Sequence, residues 1–304
     1  MKKQKINILI LILLSFVPLF IMGGGLFFCC YPTGFGVHKI ISKFSYNSSW
    51  EIEPVTDIQR ELLREKVFSQ TYYYLASGNH CYAFVSRDEQ YILKFFKIRN
   101  LFPKDWLNTF PVSLLQFLGL KQESRNQLFS ERIFASYKDA YEMFRKEAGL
   151  LYIHFNKTRD FKAKIKLIDN KGKAHLVDLD AVEFVVQRKA AKIYDYLGTL
   201  IRERKEEQLK LAVRSFLHLI AQRCEKGFVD HEIGIRNNFG FVDGEAVQFD
   251  CATLTRDNSM KYPMNFRKEV LEAAERLDFW AREHFTETSL LIQEEAQKVV
   301  RQSF

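Results

Sequence analysis

Cysteine is scarce, with five in the chain at Cys29, Cys30, Cys81, Cys224 and Cys251. Two close a hydrophobic run and three are scattered, which gives neither a disulfide framework nor a C-x-x-C zinc site. Cys29 and Cys30 stand where a lipid could be attached as a chain leaves a bilayer, although the residues before them form no bacterial lipobox and filler at a helix end is the simpler reading. No stretch is Pro-rich or Gly/Ser-rich and no long run of one charge sign occurs, so no low-complexity segment is present. G-x-S-x-G, H-E-x-x-H and G-x-x-x-x-G-K-[ST] are all absent, which removes the nucleophile elbow, the two-histidine metalloprotease and the P-loop. The seven histidines show no ligand spacing. No zinc-finger spacing or aromatic RNA-binding signature supports a nucleic-acid partner.

What is present suits a globular chain: 28 Phe and 13 Tyr can fill a substantial core. The net charge of +8 includes Lys2, Lys3 and Lys5 and, further on, Lys162, Lys164, Lys166, Lys171 and Lys173. Such a surface favours anionic partners, and a solvated lysine face is the simpler reading. Ile6 to Cys30 carries no charge, longer than the ~20 apolar residues a membrane helix needs. The preceding lysines favour a cytoplasmic N-terminus and an exported domain, a bias that Lys39 and Lys43 weaken. Gly23-Gly24-Gly25 could instead close a signal peptide. The expectation is a membrane partner reached through residues 6–30, one transmembrane helix, and a single-pass protein whose domain lies outside the cytoplasm.

After residues 1–30 the chain divides into a connector at 31–68, a β-rich part at 69–187 with an insert at about 97–134, and a helical part at 188–304. Thr71–Leu75, Tyr82–Val85 and Tyr91–Phe96 read as strands. Tyr137–Phe155 reads as a helix with Ala140, Phe144, Ala148 and Leu151 on one side. Strands return at Ala163–Leu167 and Ala174–Val186. Helices follow at Ile193–Ile201 and Gln208–Glu225, the second stopped by Gly227. A strand–loop–strand unit at Phe239–Asp250 and two more helices, Asn265–Phe285 and about 288–301, complete an α+β pattern: a small β-rich lobe, then a helical lobe.

Between those elements stands a constellation that carries chemistry. Gly227-Phe228-Val229-Asp230-His231-Glu232 leads to Asn237, and Phe239–Phe249 leads to Asp250-Cys251-Ala252. Glu232 and Asn237 are five positions apart, and Asn237 and Asp250 thirteen. This resembles the catalytic loop H-x-D-x-x-x-x-N and the downstream metal-binding Asp of the protein-kinase-like superfamily. The resemblance is closer to the small-molecule and envelope-lipid kinase branches than to regulated protein kinases, since no A-P-E segment follows. It runs from about residue 70 to 255 and implies a bilobal kinase-like domain behind the membrane segment.

The resemblance also implies roles. Gly78, in Leu75–Ala83, would lie in the loop over the phosphates, and Lys94, in Tyr91-Ile92-Leu93-Lys94, would grip them. Glu147 would pair with Lys94, Glu142 being the less favoured partner. Glu183–Gln187 would be the hinge that receives adenine. Asn237 and Asp250 would hold Mg²⁺ with ATP, because two oxygen ligands beside nucleotide phosphates suit that ion. Glu232 would orient an acceptor hydroxyl, with Asp230 as an alternative base.

Departures from the pattern leave two functions open. One loop glycine remains of three, Asp230 stands for His, and Glu232 stands for the catalytic Asp. The extra methylene matters, since misplacement by about an ångström can cost on the order of a hundredfold in rate. The first function is a divergent kinase transferring the ATP γ-phosphoryl group to a hydroxyl; the second is a pseudokinase used as a binding module or scaffold. Asp178 and Asp180 share a strand face and read as an exposed acidic face rather than a catalytic pair.

Overall fold

The structure is a computed structural model that describes residues 34–97, 124–231, 234–285 and 288–302. Thr56 and Gln59 form a reciprocal capping box that starts helix α1 (Asp57–Leu62), which runs on as a π-helical turn to Val67. Strands β1 (Thr71–Ser77), β2 (Cys81–Ser86) and β3 (Tyr91–Phe96) follow as an antiparallel meander. Helix α2 (Ser124–Met143) leads into β4 (Leu150–His154), β5 (Lys164–Ile168), β6 (Ala174–Asp178) and β7 (Phe184–Arg188). These strands make one seven-stranded sheet in the order β4-β7-β3-β2-β1-β5-β6, antiparallel except between β1 and β5.

Alternation along the strands gives the sheet two different faces. Phe84, Phe95 and Phe184 point to one of them, where Phe68, just after α1, packs edge-on to Phe184 at 5.9 Å. The other face carries Lys94 and Phe96 and is covered by α2, whose Phe134 and Tyr137 rings lie 5.0 and 5.5 Å from Phe96. Lys164 and Lys166 are exposed on β5.

Beyond the short strand β8 (Ala191–Lys192) the chain is mainly helical: α3 (Ile193–Arg202) and α4 (Glu206–Glu225), then β9 (Phe228–Asp230), the short α5 (Ile235–Asn238), the hairpin β10 (Phe239–Val242) and β11 (Glu245–Gln248), β12 (Leu254–Arg256), α6 (Pro263–His284) and α7 (Ser289–Gln302). Helix α4 is the centre of this part, with Leu209, Val213, Phe216, Leu217 and Ile220 buried against α6, α7 and the hairpin. Full burial of each such side chain stabilises by roughly 1.5–3 kcal/mol. Gly227 ends α4 with φ +75°, a conformation that costs glycine little.

The membrane expectations require correction. Among the described residues no helix is long and apolar enough to cross a membrane, and residues 6–30 lie outside the described residues. The fold of the described residues is α+β, a sheet-rich part with helices, and the transmembrane helix expected over residues 6–30 is not part of it; no described helix carries the single-pass, exported placement expected from the sequence. The described helices are amphipathic instead. The outer face of α4 carries Glu206, Glu207 and Lys210, joined by ion pairs.

The helix expected over Tyr137–Phe155 ends at Met143, and its second half is turn and strand. Gly149 adopts φ +60°, which reverses the chain and lets Leu150–His154 pair with β7. The helix begins earlier than expected, inside the predicted insert; its first turns (Ser124-Arg125-Asn126-Gln127) are polar and offer no apolar period by which to read it from the sequence.

Gly240 has a steric reason to be glycine. A Cβ there would sit 2.4 Å from the Ala191 carbonyl oxygen where β10 pairs with β8. Gly240→Ala is expected to cost about 1–3 kcal/mol, the range for forced overpacking. Gly78→Ala, where the nearest atom is 3.9 Å away, should melt close to the unchanged chain in urea.

Candidate functional site

Lys94 projects from β3 into the space between the sheet and the segment after β11, and is nearly buried. Its ammonium donates to the Phe249 carbonyl and lies 3.5 Å from the Tyr137 hydroxyl. The Tyr137 hydroxyl in turn donates to Asp250 Oδ1 at 3.3 Å. A cation and a carboxylate more than 150 residues apart in sequence thus meet across one phenol. Tyr137 is 1% exposed, and burial, then the Asp250 charge, holds its pKa well above 10. The bridge is neutral, able to accept from Lys94 and donate to Asp250 at once.

Asp250 is half-buried. Its Oδ1 also accepts from the Ala252 backbone at 3.3 Å, whereas Oδ2 makes no hydrogen bond among the described residues. The Asn238 carbonyl accepts from the Phe249 and Asp250 amides at 2.8 and 3.4 Å, which brings α5 against this segment. Asn237 lies on α5 and is exposed. Asp250 and Asn237 supply oxygen donors of the kind that Mg²⁺ takes. Among the described residues no group of three or more His, Cys, Asp or Glu is arranged to hold a metal. Glu232 lies outside the described residues.

Gly78 closes the β1–β2 turn, its amide donating to the Cys81 carbonyl at 3.0 Å. Its φ is not positive, so the backbone here does not demand glycine. Lys97 caps the turn, donating to the Gly78 carbonyl and to Ser77 Oγ at 2.7 Å. Cys81 is close by. Burial pushes its thiol pKa up, Asp250 adds to this, and Lys94 and Lys97 oppose it.

Three expected roles do not match the geometry. Glu147 sits in the turn beyond α2 and faces Lys226 Nζ at 3.5 Å, and Glu142 faces Lys138 at 3.7 Å. The helix position opposite Lys94 belongs to Tyr137. Asp230 is 2% exposed and fully engaged: Oδ2 accepts from Gln248 Nε2 at 2.7 Å and Oδ1 from Thr253 Oγ1 at 2.6 Å. Glu183–Gln187 is no hinge, because Phe184–Arg188 is a central strand between β4 and β3. Gln187 there donates to the Ala148 and Phe249 carbonyls at 2.9 and 3.1 Å, and the chain leaves the sheet only at Lys189-Ala190.

Beneath Asp250 runs a buried polar chain. Arg223 donates to Glu269 at 3.1 Å and to Gln248 Oε1 at 3.2 Å. Gln248 Nε2 reaches Asp230 and, at 3.3 Å, the Asp250 carbonyl. Ser136 of α2 donates to the Cys251 carbonyl and to that of Leu254, the latter at 2.7 Å. The segment from Phe249 to Leu254 is therefore pinned from both sides. Two cavities, of about 700 Å³ between α6 and α7 and about 510 Å³ beside Trp50 and Arg256, lie away from Lys94 and Asp250.

The roles of Tyr137, Lys97 and Cys81 escaped the sequence reading, and Gln187 was expected in a hinge rather than beneath the site. The apolar period of Phe134, Tyr137 and Tyr141 marks a buried helix stripe but does not say which phenol meets a lysine. No known family model matches the chain, and no curated protein sequence does either.

Proposed function

We propose that the chain is a kinase-related protein whose site at Lys94, Asn237 and Asp250 takes ATP with Mg²⁺ and passes the γ-phosphoryl group to a hydroxyl acceptor. One observation carries this reading: the Lys94 ammonium and the Asp250 carboxylate share the Tyr137 hydroxyl, at the end of a strand–helix–hairpin path with kinase-like spacing. Bound Mg²⁺ would neutralise charge on the phosphates. Lys94 exchanges the Phe249 carbonyl for phosphate oxygen, and Asp250 offers Oδ2 to the metal. Glu232 takes the proton of the acceptor hydroxyl as its oxygen bonds to the γ-phosphorus and the bond to the β–γ bridging oxygen breaks, releasing ADP.

The second reading is a binding module that takes nucleotide without transfer. It is favoured by the Phe249 carbonyl already holding the Lys94 ammonium and by the phenol standing where an acid is expected. A thermal-shift titration of the full chain with ATP, with and without Mg²⁺, tests both. A melting shift that needs the metal, with ADP released in the presence of hydroxyl acceptors, supports the enzyme. A shift without turnover supports the module. No shift with any purine nucleotide in a folded chain ends the nucleotide reading.

A further inference from the structure

Among the described residues, Glu183 is the one carboxylate buried with both oxygens unpaired. It is 1% exposed, and neither carboxylate oxygen has a hydrogen-bond partner. Buried polar groups are nearly always paired, and an unpaired buried carboxylate does not stay ionised cheaply. Ser42 lies alongside and favours the ionised form, as does the residue's own backbone amide, although neither meets hydrogen-bond geometry. The one charge that bears on the group is Lys157, exposed beyond β4, and it too favours ionisation. Burial outweighs all three and raises the carboxyl from its ordinary value near 4.5 to about 7.

Among the chain that lies against Glu183 is a length ahead of α1, whose Ser42 stands beside the carboxyl. Ile41 bridges to Val182, and the Ser42 amide donates to the Ala181 carbonyl at 3.0 Å. Farther along, Asn47 and Asn156 exchange two hydrogen bonds of 2.9 Å. Trp50 then packs edge-on against Phe134 of α2 at 4.9 Å. Three residues beyond Phe134 is Tyr137, the phenol between Lys94 and Asp250. The strap therefore touches the buried acid at one end and the site helix at the other.

We propose that Val37–Trp50 is a proton-operated latch, closed over neutral Glu183 and released when Glu183 ionises, so that pH sets how firmly α2 is held against the site. The inference concerns the free protein and stands apart from any reaction at Lys94. Its sign follows from linkage. A carboxyl with a raised folded pKa contributes stability that is fully present below about pH 4.5 and is lost as the pH rises through about 7. The open–closed equilibrium shifts tenfold per unit of displacement, up to roughly 300-fold in all. His154 works the other way. It lies on β4 opposite Phe184, on the face away from Glu183, and burial lowers its pKa to about 4. Its contribution is lost as the pH falls from about 6.5, which masks the latch in a global melting curve.

Hydrogen exchange of the full chain, corrected for intrinsic rates, resolves the two. Between pH 5.5 and 8.5, amides of 37–50 should lose protection, those of 131–143 should follow, and those of 209–224 should not change. Glu183→Gln should keep the strap protected at both values. Lys157→Met, which removes the favourable charge, should move the midpoint to higher pH and serves if Glu183→Gln folds poorly. Strap protection that ignores pH, a fall that persists in Glu183→Gln, an unmoved midpoint in Lys157→Met, an unresponsive 131–143, or an equal loss across 209–224 each overturns the latch.

Discussion

Asp230→Ala should lower the unfolding free energy by about 3 kcal/mol, because it removes the acceptor of one buried and one part-buried bond. Hydrogen bonds to a charged group are worth about 1.5–3 kcal/mol each. The Thr253 hydroxyl loses this acceptor and the Gln248 amide keeps only its longer bond to the Asp250 carbonyl at 3.3 Å. Gln248 cannot compensate by turning over, since its oxygen is committed to Arg223 at 3.2 Å. Asp230→Asn keeps the shape and one acceptor and should cost about half as much. This outcome also assigns the residue: a carboxylate with both oxygens engaged is a support for the Gln248–Asp250 segment, not a base for a substrate hydroxyl. Urea unfolding of the two variants checks it. An Asp230→Ala chain that melts like the unchanged protein would show that the network is not formed and would return Asp230 to the catalytic candidates.

How much of this was legible in the sequence depends on whether a feature is local. The β2 and β3 strands, α3, α4, the Gly227 stop and the β10–β11 hairpin follow from alternation, helical period and turn chemistry, all of which are written within a dozen residues. The meeting of Lys94 and Asp250 was an expectation of the kinase resemblance, drawn from order and spacing along the chain. Side-chain pairing across elements was not legible. Whether Glu147 or Tyr137 faces Lys94 depends on where α2 ends and how it rolls on the sheet, and that is set by Phe134 and Tyr137 packing on Phe96. Gly149 was the local clue to the helix end, and it was outweighed by the apolar run from Leu150 to Phe155. The hinge was misplaced for a related reason: Phe184-Val185-Val186 is continuously apolar, as a strand buried on both faces must be, and nothing in that run marks where the sheet ends.

Asp250→Ala should abolish the Mg²⁺-dependent part of any stabilisation by ATP. A ligand at a hundred times its dissociation constant stabilises a folded chain by about 2.7 kcal/mol, or roughly 5–10 °C for a domain of this size. Asp250 Oδ2 is the oxygen available to the metal, so its loss should leave only the smaller, metal-independent shift due to Lys94. The variant also strands the Tyr137 hydroxyl, which donates to Oδ1 at 3.3 Å, and its melting point without nucleotide should fall for that reason alone. Asp250→Asn separates the two effects. It retains an acceptor for Tyr137 and restores most of the basal stability, yet lacks the charge that holds Mg²⁺. Nucleotide shifts are therefore compared within each variant, never between variants. If Asp250→Asn shifts with ATP and Mg²⁺ as the unchanged chain does, Asp250 is no metal ligand, and its meeting with Lys94 through Tyr137 is a structural tie between the sheet and the hairpin.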